Sequence, residues 1–223
     1  MEQIVLKDVK KTYYPDMLNR PVLNHLSLTI NASEFVGIIG PSGSGKTTLL
    51  YVMSGLEPVD SGEVSLFQKP LLNYLESDRA MLRRDLIGFV FQFFNLIPNL
   101  TIYDNLKLAN VIIKHKGLTI EQALELVGLK EAMHLYPSQL SGGMQQRASI
   151  ARAILGEKKI IFADEPTGNL DQKTSLEIME LFKKLNQTLG ITIVMVTHNE
   201  ALLSYTNRVI RLIDGNILKD EKI

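Results

Sequence analysis

The chain contains no cysteine and carries no net charge. Without cysteine it can form neither a disulfide framework nor a cysteine-based zinc site, a composition compatible with the cytosol. Its 24 Lys and Arg residues equal its 24 Asp and Glu residues, so the formal net charge is zero. This balance argues against a large nucleic-acid-binding surface, which requires clustered positive charge. We therefore expect no nucleic-acid partner.

Long apolar runs are also missing. The longest runs, such as Ile191–Val196, are far shorter than the roughly 18 residues that a membrane-spanning helix needs. The N-terminus, Met1–Lys7, has neither the charged start nor the apolar core of a signal peptide. We expect a cytoplasmic chain that reaches the inner face of the membrane only through a partner. Its 223 residues suit one domain with an inserted subdomain.

The order of apolar segments predicts an α/β fold. Val22–Ile30 and Glu34–Ile39 predict strands in the first third of the chain. In the last third, Lys159–Ala163 and Ile191–Thr197 are almost wholly apolar, which is typical of strands covered on both faces. A helical pattern that ends at Gly190 lies between them. Such alternation predicts a mainly parallel sheet with ligands at the carboxyl ends of its strands.

The middle of the chain is more helical. Thr119 and Gln122 form the pattern of a capping box that opens a helix through about Val127. Ser141 is expected to cap a second helix, in which apolar residues recur at helical spacing as far as Leu155.

A glycine-rich segment after the second predicted strand matches the phosphate-loop pattern G-x-x-x-x-G-K-[ST]. Its residues are Gly40, Pro41, Ser42, Gly43, Ser44, Gly45, Lys46 and Thr47, followed by Thr48. The strand before it and the helix predicted over Lys46–Met53 give the context that distinguishes a phosphate loop from a chance match. We expect backbone amides to face the phosphates, Lys46 to reach their oxygens and Thr47 to bind Mg²⁺. The pattern predicts nucleotide binding without separating a kinase, a GTPase and a transporter.

Three polar residues follow predicted strands at the same edge. Asp164 and Glu165 end an apolar strand, and Asp164 can hold Mg²⁺ directly or through water. Glu165 can polarise the water that attacks the γ-phosphate. An isolated Asp-Glu pair is usually an ordinary surface pair, and a lone histidine such as His198 is more often structural. Their position beside a predicted phosphate site favours the catalytic interpretation of Glu165 and His198.

The segment Leu140-Ser141-Gly142-Gly143-Met144-Gln145-Gln146 resembles the signature motif of ABC ATPases. Ser141, Gly142 and Gly143 open a helix N-terminus, which attracts anions. The resemblance implies that they close on the γ-phosphate bound by a second copy of the chain, in a head-to-tail homodimer that encloses two ATP molecules. Met144 departs from the motif, which usually has Gln or Glu there. A thioether is a weak acceptor, so we expect slightly weaker ATP-driven dimerisation.

Other segments follow the order of the same family. Gln92 resembles the glutamine that touches Mg²⁺, and Pro166–Asp171 resembles the stretch that leads to the dimer interface, so Asp171 belongs to the expected nucleotide site. Tyr13 resembles the aromatic residue that stacks on adenine, and Tyr14 beside it is the alternative for that role. A tyrosine in an N-terminal strand can instead simply pack in the core or at a sheet edge.

The resemblance also implies an architecture. The expected fold is a RecA-like phosphate-loop NTPase with a mainly parallel sheet and an N-terminal antiparallel β part. Residues 1–92 and 156–223 would form the nucleotide-binding core, and residues 93–155 an inserted helical subdomain that carries the signature motif and meets the permease. ATP and Mg²⁺ are the implied ligands.

Two segments resemble one subgroup of the family, which includes lipoprotein-releasing and macrolide-export ATPases. These segments are Phe91–Pro98 and Ala163–Asp171. The subgroup implies a separate membrane permease and export or extraction of a peptide, lipoprotein or antibiotic. A membrane complex that transports nothing, and instead regulates cell-wall hydrolysis or senses an antibiotic, uses the same motor and stays open. The sequence also leaves open the cargo and whether an extracytoplasmic adaptor joins the complex.

An ABC ATPase that acts on DNA or ribosomes is disfavoured. Such proteins usually carry coiled coils, zinc modules or tandem nucleotide domains, for which 223 residues without cysteine have no room.

Overall fold

A computed structural model describes residues 1–13, 21–112 and 117–223. Contacts group them into two compact units, of which the first comprises Met1–Ala80 with Val194–Ile223 and the second comprises Met81–Ile193. The strands are β1 (Glu2–Lys11), β2 (Leu23–Asn31), β3 (Phe35–Ile39), β4 (Ser61–Leu66), β5 (Lys69–Pro70), β6 (Ile87–Phe91), β7 (Ile160–Asp164), β8 (Thr192–Thr197), β9 (Arg208–Ile213) and β10 (Asn216–Lys222). The α-helices are α1 (Lys46–Met53), α2 (Glu76–Leu86), α3 (Ile102–Ile112), α4 (Ile120–Leu126), α5 (Gly142–Ala153) and α6 (Gln172–Leu189).

An antiparallel sheet in the order β2-β1-β4-β5 forms part of the first unit. Ile4 and Leu6 of β1 point into the core, as the two-residue period of a strand requires. Asp8 then has a left-handed backbone, with φ of 53°, where the register shifts. This bulge adds one residue and returns Val9 to the buried side.

The same unit holds the strand that leads into the phosphate loop. β3 is buried along its whole length and pairs in parallel with β9, which pairs antiparallel with β10. The helix α1 follows and buries four apolar residues, which are Leu49, Leu50, Val52 and Met53. The predicted helix over Lys46–Met53 is therefore confirmed at both ends.

The second unit places helices around a parallel strand pair. β6 and β7 align so that Phe91 lies opposite Asp164. The helix α5 packs against β6, α3, α4 and α6, and it buries small residues such as Ala148 and Ala151 that permit close approach. The capping box at Thr119 is confirmed, because Gln122 N donates to Thr119 Oγ1 at 3.3 Å and Thr119 N donates to Gln122 Oε1 at 3.0 Å.

The helix α2 was not predicted from the pattern. Its only buried residue is Asp85, whose carboxylate accepts two hydrogen bonds of 2.6 Å from the Arg84 guanidinium. A helix without an apolar face gives no hydrophobic periodicity to detect. No helix within the described ranges combines the length and apolar character that crossing a membrane requires.

Candidate functional site

The predicted phosphate loop is a tight turn between β3 and α1. Gly43 and Gly45 have left-handed backbones, with φ of 80° and 96°. A Cβ atom on Gly40 would lie 2.0 Å from Leu212 O, and one on Gly45 would lie 2.6 Å from Val22 O. A Cβ on Gly43 would meet nothing within 4 Å. Two glycines are thus required by close backbone packing, whereas Gly43 has open space in front of it.

The Lys46 ammonium lies over this loop. Its Nζ donates to Gly40 O at 2.8 Å and to Pro41 O at 2.9 Å. At the described start of α1, Gly45 supplies no side-chain cap and the first turn contains no acidic residue. Because the first amides of a helix have no intrahelical acceptor, this end is electropositive.

The loop has the donors that a phosphate requires. Ser42, Gly43 and Thr47 are exposed, and the buried Ser44 Oγ has no hydrogen-bond partner among the described residues. The described chain contains no cluster of three or more His, Cys, Asp or Glu residues able to hold a metal. Mg²⁺ prefers oxygen ligands and is usually bound through one or two side chains together with substrate phosphates and water, and the exposed Thr47 carries such an oxygen.

His198 and Tyr13 belong to the same unit as the loop. His198 follows β8 directly and is exposed. Its turn is held by Asn199, whose backbone N donates to Thr197 Oγ1 at 3.1 Å and whose Oδ1 accepts from Ala201 N at 3.0 Å. These bonds orient the backbone that carries the imidazole.

Tyr13 lies two residues beyond β1, so the interpretation of it as a strand tyrosine packed in the core is wrong. Its side chain is 43% exposed, and Lys11 Nζ lies 5.2 Å from the ring centroid. Because β1 ends before Tyr13, the ring is not packed within the sheet. Its exposed face can therefore stack on a base. Tyr14 lies outside the described residues, so the choice between the two tyrosines stays a prediction.

In the second unit, Asp164 is the last residue of β7 and Glu165 follows it. Glu165 has φ of 46°, a left-handed conformation that costs a residue with a side chain about 1–2 kcal/mol. Its carbonyl oxygen accepts a hydrogen bond of 3.0 Å from Gly168 N, which closes a turn. Strained residues held by surrounding structure concentrate at functional sites.

Gln92 follows β6 and is bonded to the turn after Glu165. Gln92 Nε2 donates to Asn169 Oδ1 at 3.0 Å, and Asn169 Nδ2 donates to Gln92 O at 3.1 Å. A Cβ on Gly168 would lie 2.9 Å from Gln92 Nε2, so the two segments pack closely. The structure thus brings together Gln92 and the segment after Glu165, and Asn169 is a contributor that the sequence did not single out.

The signature segment starts α5. Ser141 is the N-cap, and its Oγ accepts a hydrogen bond of 3.3 Å from Met144 N. A Cβ on Gly143 would lie 2.4 Å from Thr174 Cγ2, so glycine lets α5 approach α6. A Cβ on Gly142 would make ordinary contacts with Leu170 and Phe94, at 3.4 and 3.6 Å.

Asp171 caps the next helix. Its carboxylate accepts hydrogen bonds from Thr174 Oγ1 at 2.6 Å and from Thr174 N at 3.0 Å. The hydrogen bonds from the Thr174 hydroxyl and amide favour the ionised form and lower the pKa of the Asp171 carboxyl. Within the chain Asp171 therefore caps the N-terminus of α6. Its expected place near a partner's nucleotide stays a prediction.

A family model for the ABC transporter matches residues 23–168 of the chain. The chain belongs to the ABC transporter family. It is 42% identical over 220 residues to an uncharacterized ABC transporter ATP-binding protein of Methanocaldococcus jannaschii, MJ1508, covering 97% of this chain and 98% of that protein. It is 41% identical over 223 residues to the macrolide export ATP-binding/permease protein MacB of Bdellovibrio bacteriovorus. That match covers 99% of this chain and 34% of MacB, so the chain spans about a third of this relative.

A solved ABC cassette has the same fold. The ATP-binding cassette MJ0796, in a dimeric post-hydrolysis state bound to ADP and Pi, superposes with a TM-score of 0.86 and 40% identity, covering 98% of each chain. The expected α/β phosphate-loop fold is confirmed. The chain is an ABC ATP-binding cassette, which binds ATP with Mg²⁺ and hydrolyses it.

Proposed function

We propose that this ABC cassette drives a separate integral membrane permease that exports or extracts a peptide, a lipoprotein or an antibiotic. The carrying observation is the pair of matches over nearly the whole chain. MJ1508, of almost the same length, is named as an ATP-binding protein alone. MacB, about three times longer, is named for macrolide export and for both ATP binding and a permease. The MacB match favours a cassette of the macrolide-export type.

The triphosphate would lie on Gly40–Thr48, where the uncapped start of α1 and the Lys46 ammonium favour negative charge. Tyr13 would stack on the adenine. Thr47, Gln92 and Asp164 would hold Mg²⁺, which when bound neutralises charge on the phosphate oxygens.

Glu165 would orient and polarise the attacking water, and His198 would hold the γ-phosphate. The left-handed backbone of Glu165 and the bond between its carbonyl and Gly168 fix where this side chain starts. Such preorganisation is useful because phosphoryl transfer depends mainly on positioning and charge stabilisation.

A second copy of the chain would complete each ATP site through Ser141, Gly142, Gly143 and Asp171. The solved relative MJ0796 is dimeric with ADP and Pi bound, which supports this assembly. The Ser141 hydroxyl accepts from Met144 N and retains its own hydrogen to donate to a phosphate oxygen.

The permease would dock on apolar residues that follow Gln92 and lie on α3. Phe93 is 69% exposed and Val111 is 76% exposed, and Ile97 and Leu108 are exposed as well. Exposed large apolar residues in one segment favour a protein partner. Docking there would place the cassette at the cytoplasmic face of the membrane.

The substitution Glu165→Gln tests the hydrolytic assignment. We expect turnover to fall by about 100-fold with unchanged ATP affinity, because water activation is lost while the phosphate loop stays intact. Turnover is measured by phosphate release and affinity with a fluorescent ATP analogue. Glu180→Gln, an exposed glutamate on α6, is the matched control. Near-normal turnover of Glu165→Gln would remove Glu165 from this role.

The permease is tested with tagged Glu165→Gln protein, incubated with native membranes and ATP. We expect to recover an integral membrane protein with a large extracytoplasmic domain, and any adaptor with it. Recovery of only DNA, ribosomes or soluble proteins would contradict the proposal. A cargo assay on the reconstituted complex then separates transport from a purely regulatory membrane complex.

A further inference from the structure

One glutamine of α5 contacts the two segments to which we assign chemistry in the second unit. Gln146 is 0% exposed. Its Nε2 donates to Phe91 O at 3.2 Å and also to Pro166 O. Phe91 is the residue before Gln92, and Pro166 is the residue after Glu165. A single amide group therefore joins α5 to the last residue of β6 and to the turn that follows β7.

The side-chain amide of Gln146 is only partly satisfied. Gln146 Oε1 accepts no hydrogen bond from any described residue. A buried acceptor without a donor costs stability. An apolar side chain would avoid that cost but would leave Phe91 O and Pro166 O without these donors. The compensation lies in the two bonds that its nitrogen makes.

The planar geometry of the amide fixes the relative position of its two acceptors. The two hydrogens of the –NH₂ group lie in one plane at a fixed angle, so the two carbonyl oxygens are held at a defined separation. Gln146 lies in the second turn of α5, whose N-cap is Ser141. Gln146 therefore connects that end of the helix to Phe91 and Pro166.

A neighbouring residue on the same helix provides contrast. Ser149 is also 0% exposed, yet its Oγ has no hydrogen-bond partner within the described chain. Ser149 follows Gln146 by three residues and lies on the same face of α5. It is thus a buried polar residue of α5 whose side chain makes no bond to β6 or to the turn after Glu165.

We propose that Gln146 is a positioning residue for ATP hydrolysis. It holds the backbone next to Gln92 and Glu165 in a fixed position relative to the N-terminus of α5. The inference rests on the proposed roles of Gln92 and Glu165. Gln146 touches neither ATP nor water in this scheme and acts through the backbone on either side. Its loss therefore lowers the rate of the chemical step and leaves nucleotide binding intact.

The test is Gln146→Met, which keeps the side-chain length and removes both donors. We expect kcat to fall by about tenfold while the affinity for a fluorescent ATP analogue changes less than twofold. Ser149→Ala, the matched control, should leave both quantities unchanged. Melting curves and the bound fraction of the analogue report how much of each variant is folded. If Gln146→Met does not fold, Gln146→Asn takes its place, because its shorter side chain cannot reach both carbonyls.

A double-mutant cycle with Glu165→Gln distinguishes positioning from general damage. If Gln146 acts through Glu165, adding Gln146→Met to Glu165→Gln should lower kcat by less than twofold, because coupled residues are not additive. A full tenfold loss in both backgrounds, or a normal kcat for Gln146→Met alone, overturns the inference. Normal turnover of Glu165→Gln alone would instead overturn the hydrolytic assignment on which the inference rests.

Discussion

The helices α1 and α5 both begin at glycine-rich turns, but their N-termini are built differently. The α1 end follows Gly45 in a left-handed conformation and has no side-chain cap, and the ammonium of Lys46 lies over the loop before it. The α5 end has Ser141 as its cap, whose Oγ accepts from Met144 N. The first end thus has no side-chain cap, whereas the second has one that satisfies a backbone amide.

This difference bears on how each end meets phosphate. An uncapped, electropositive helix start gains most of its stabilisation when an anion is bound. A serine cap stabilises a helix by about 1 kcal/mol without any ligand, so the N-terminus of α5 stays folded when no phosphate is bound there. The comparison favours resident nucleotide at α1 and intermittent contact at α5, as the proposed head-to-tail dimer requires.

The largest expected effect is on the α1 side. Lys46→Ala should weaken ATP binding by about 100-fold. The lysine is expected to donate two charge-assisted hydrogen bonds to phosphate oxygens, and losing two such bonds at about 1.5 kcal/mol each corresponds to that factor. Titration with a fluorescent ATP analogue measures the affinity. Lys183→Ala, which removes an exposed lysine from α6, is the control and should leave affinity unchanged. An unaltered affinity for Lys46→Ala would break the comparison at its stronger end.

Much of this end was predictable from the sequence because its signals are local. Its signals are an apolar run before Gly40, the motif residues Gly45 and Lys46, and a helical stretch to Met53. All of them lie close together in the sequence, and α1 has the predicted bounds. The Thr119 and Ser141 caps are local in the same sense, since each bonds a backbone amide three residues away.

What the sequence did not show depends on tertiary pairing. The bonds between Gln92 and Asn169, and from Gln146 to Phe91 and Pro166, exist because β6 and β7 align with Phe91 opposite Asp164. A glutamine within a helix has no local sign of such partners. The predicted division into 1–92, 93–155 and 156–223, which comes from the family resemblance, stays a prediction.

A smaller effect is expected on the α5 side. Ser141→Ala removes the hydroxyl proposed to contact the γ-phosphate bound by the partner. Steady-state ATPase activity should fall by about tenfold, because the loss of one charge-assisted hydrogen bond in the transition state corresponds to about that factor. ATP affinity of the single chain should not change, since Ser141 is assigned to the partner's nucleotide. Ser138→Ala, an exposed serine just before the motif, is the control. A loss of affinity in Ser141→Ala as large as that of Lys46→Ala would mean that the two ends serve one nucleotide.

The smallest effect concerns Met144, where the signature motif usually has Gln or Glu. Its backbone N bonds to Ser141 and is unaffected by the side chain, so the phosphate contacts do not depend on this residue. Met144→Gln adds one neutral hydrogen-bonding group, worth about 0.5–1 kcal/mol, so ATP-driven dimerisation in the Glu165→Gln background should tighten about threefold. Sedimentation at several protein concentrations measures it, with Met144→Leu as the apolar control. Equal dimerisation of all three proteins would show that this side chain does not reach the partner, and that the α5 end meets it through Ser141 and backbone amides alone.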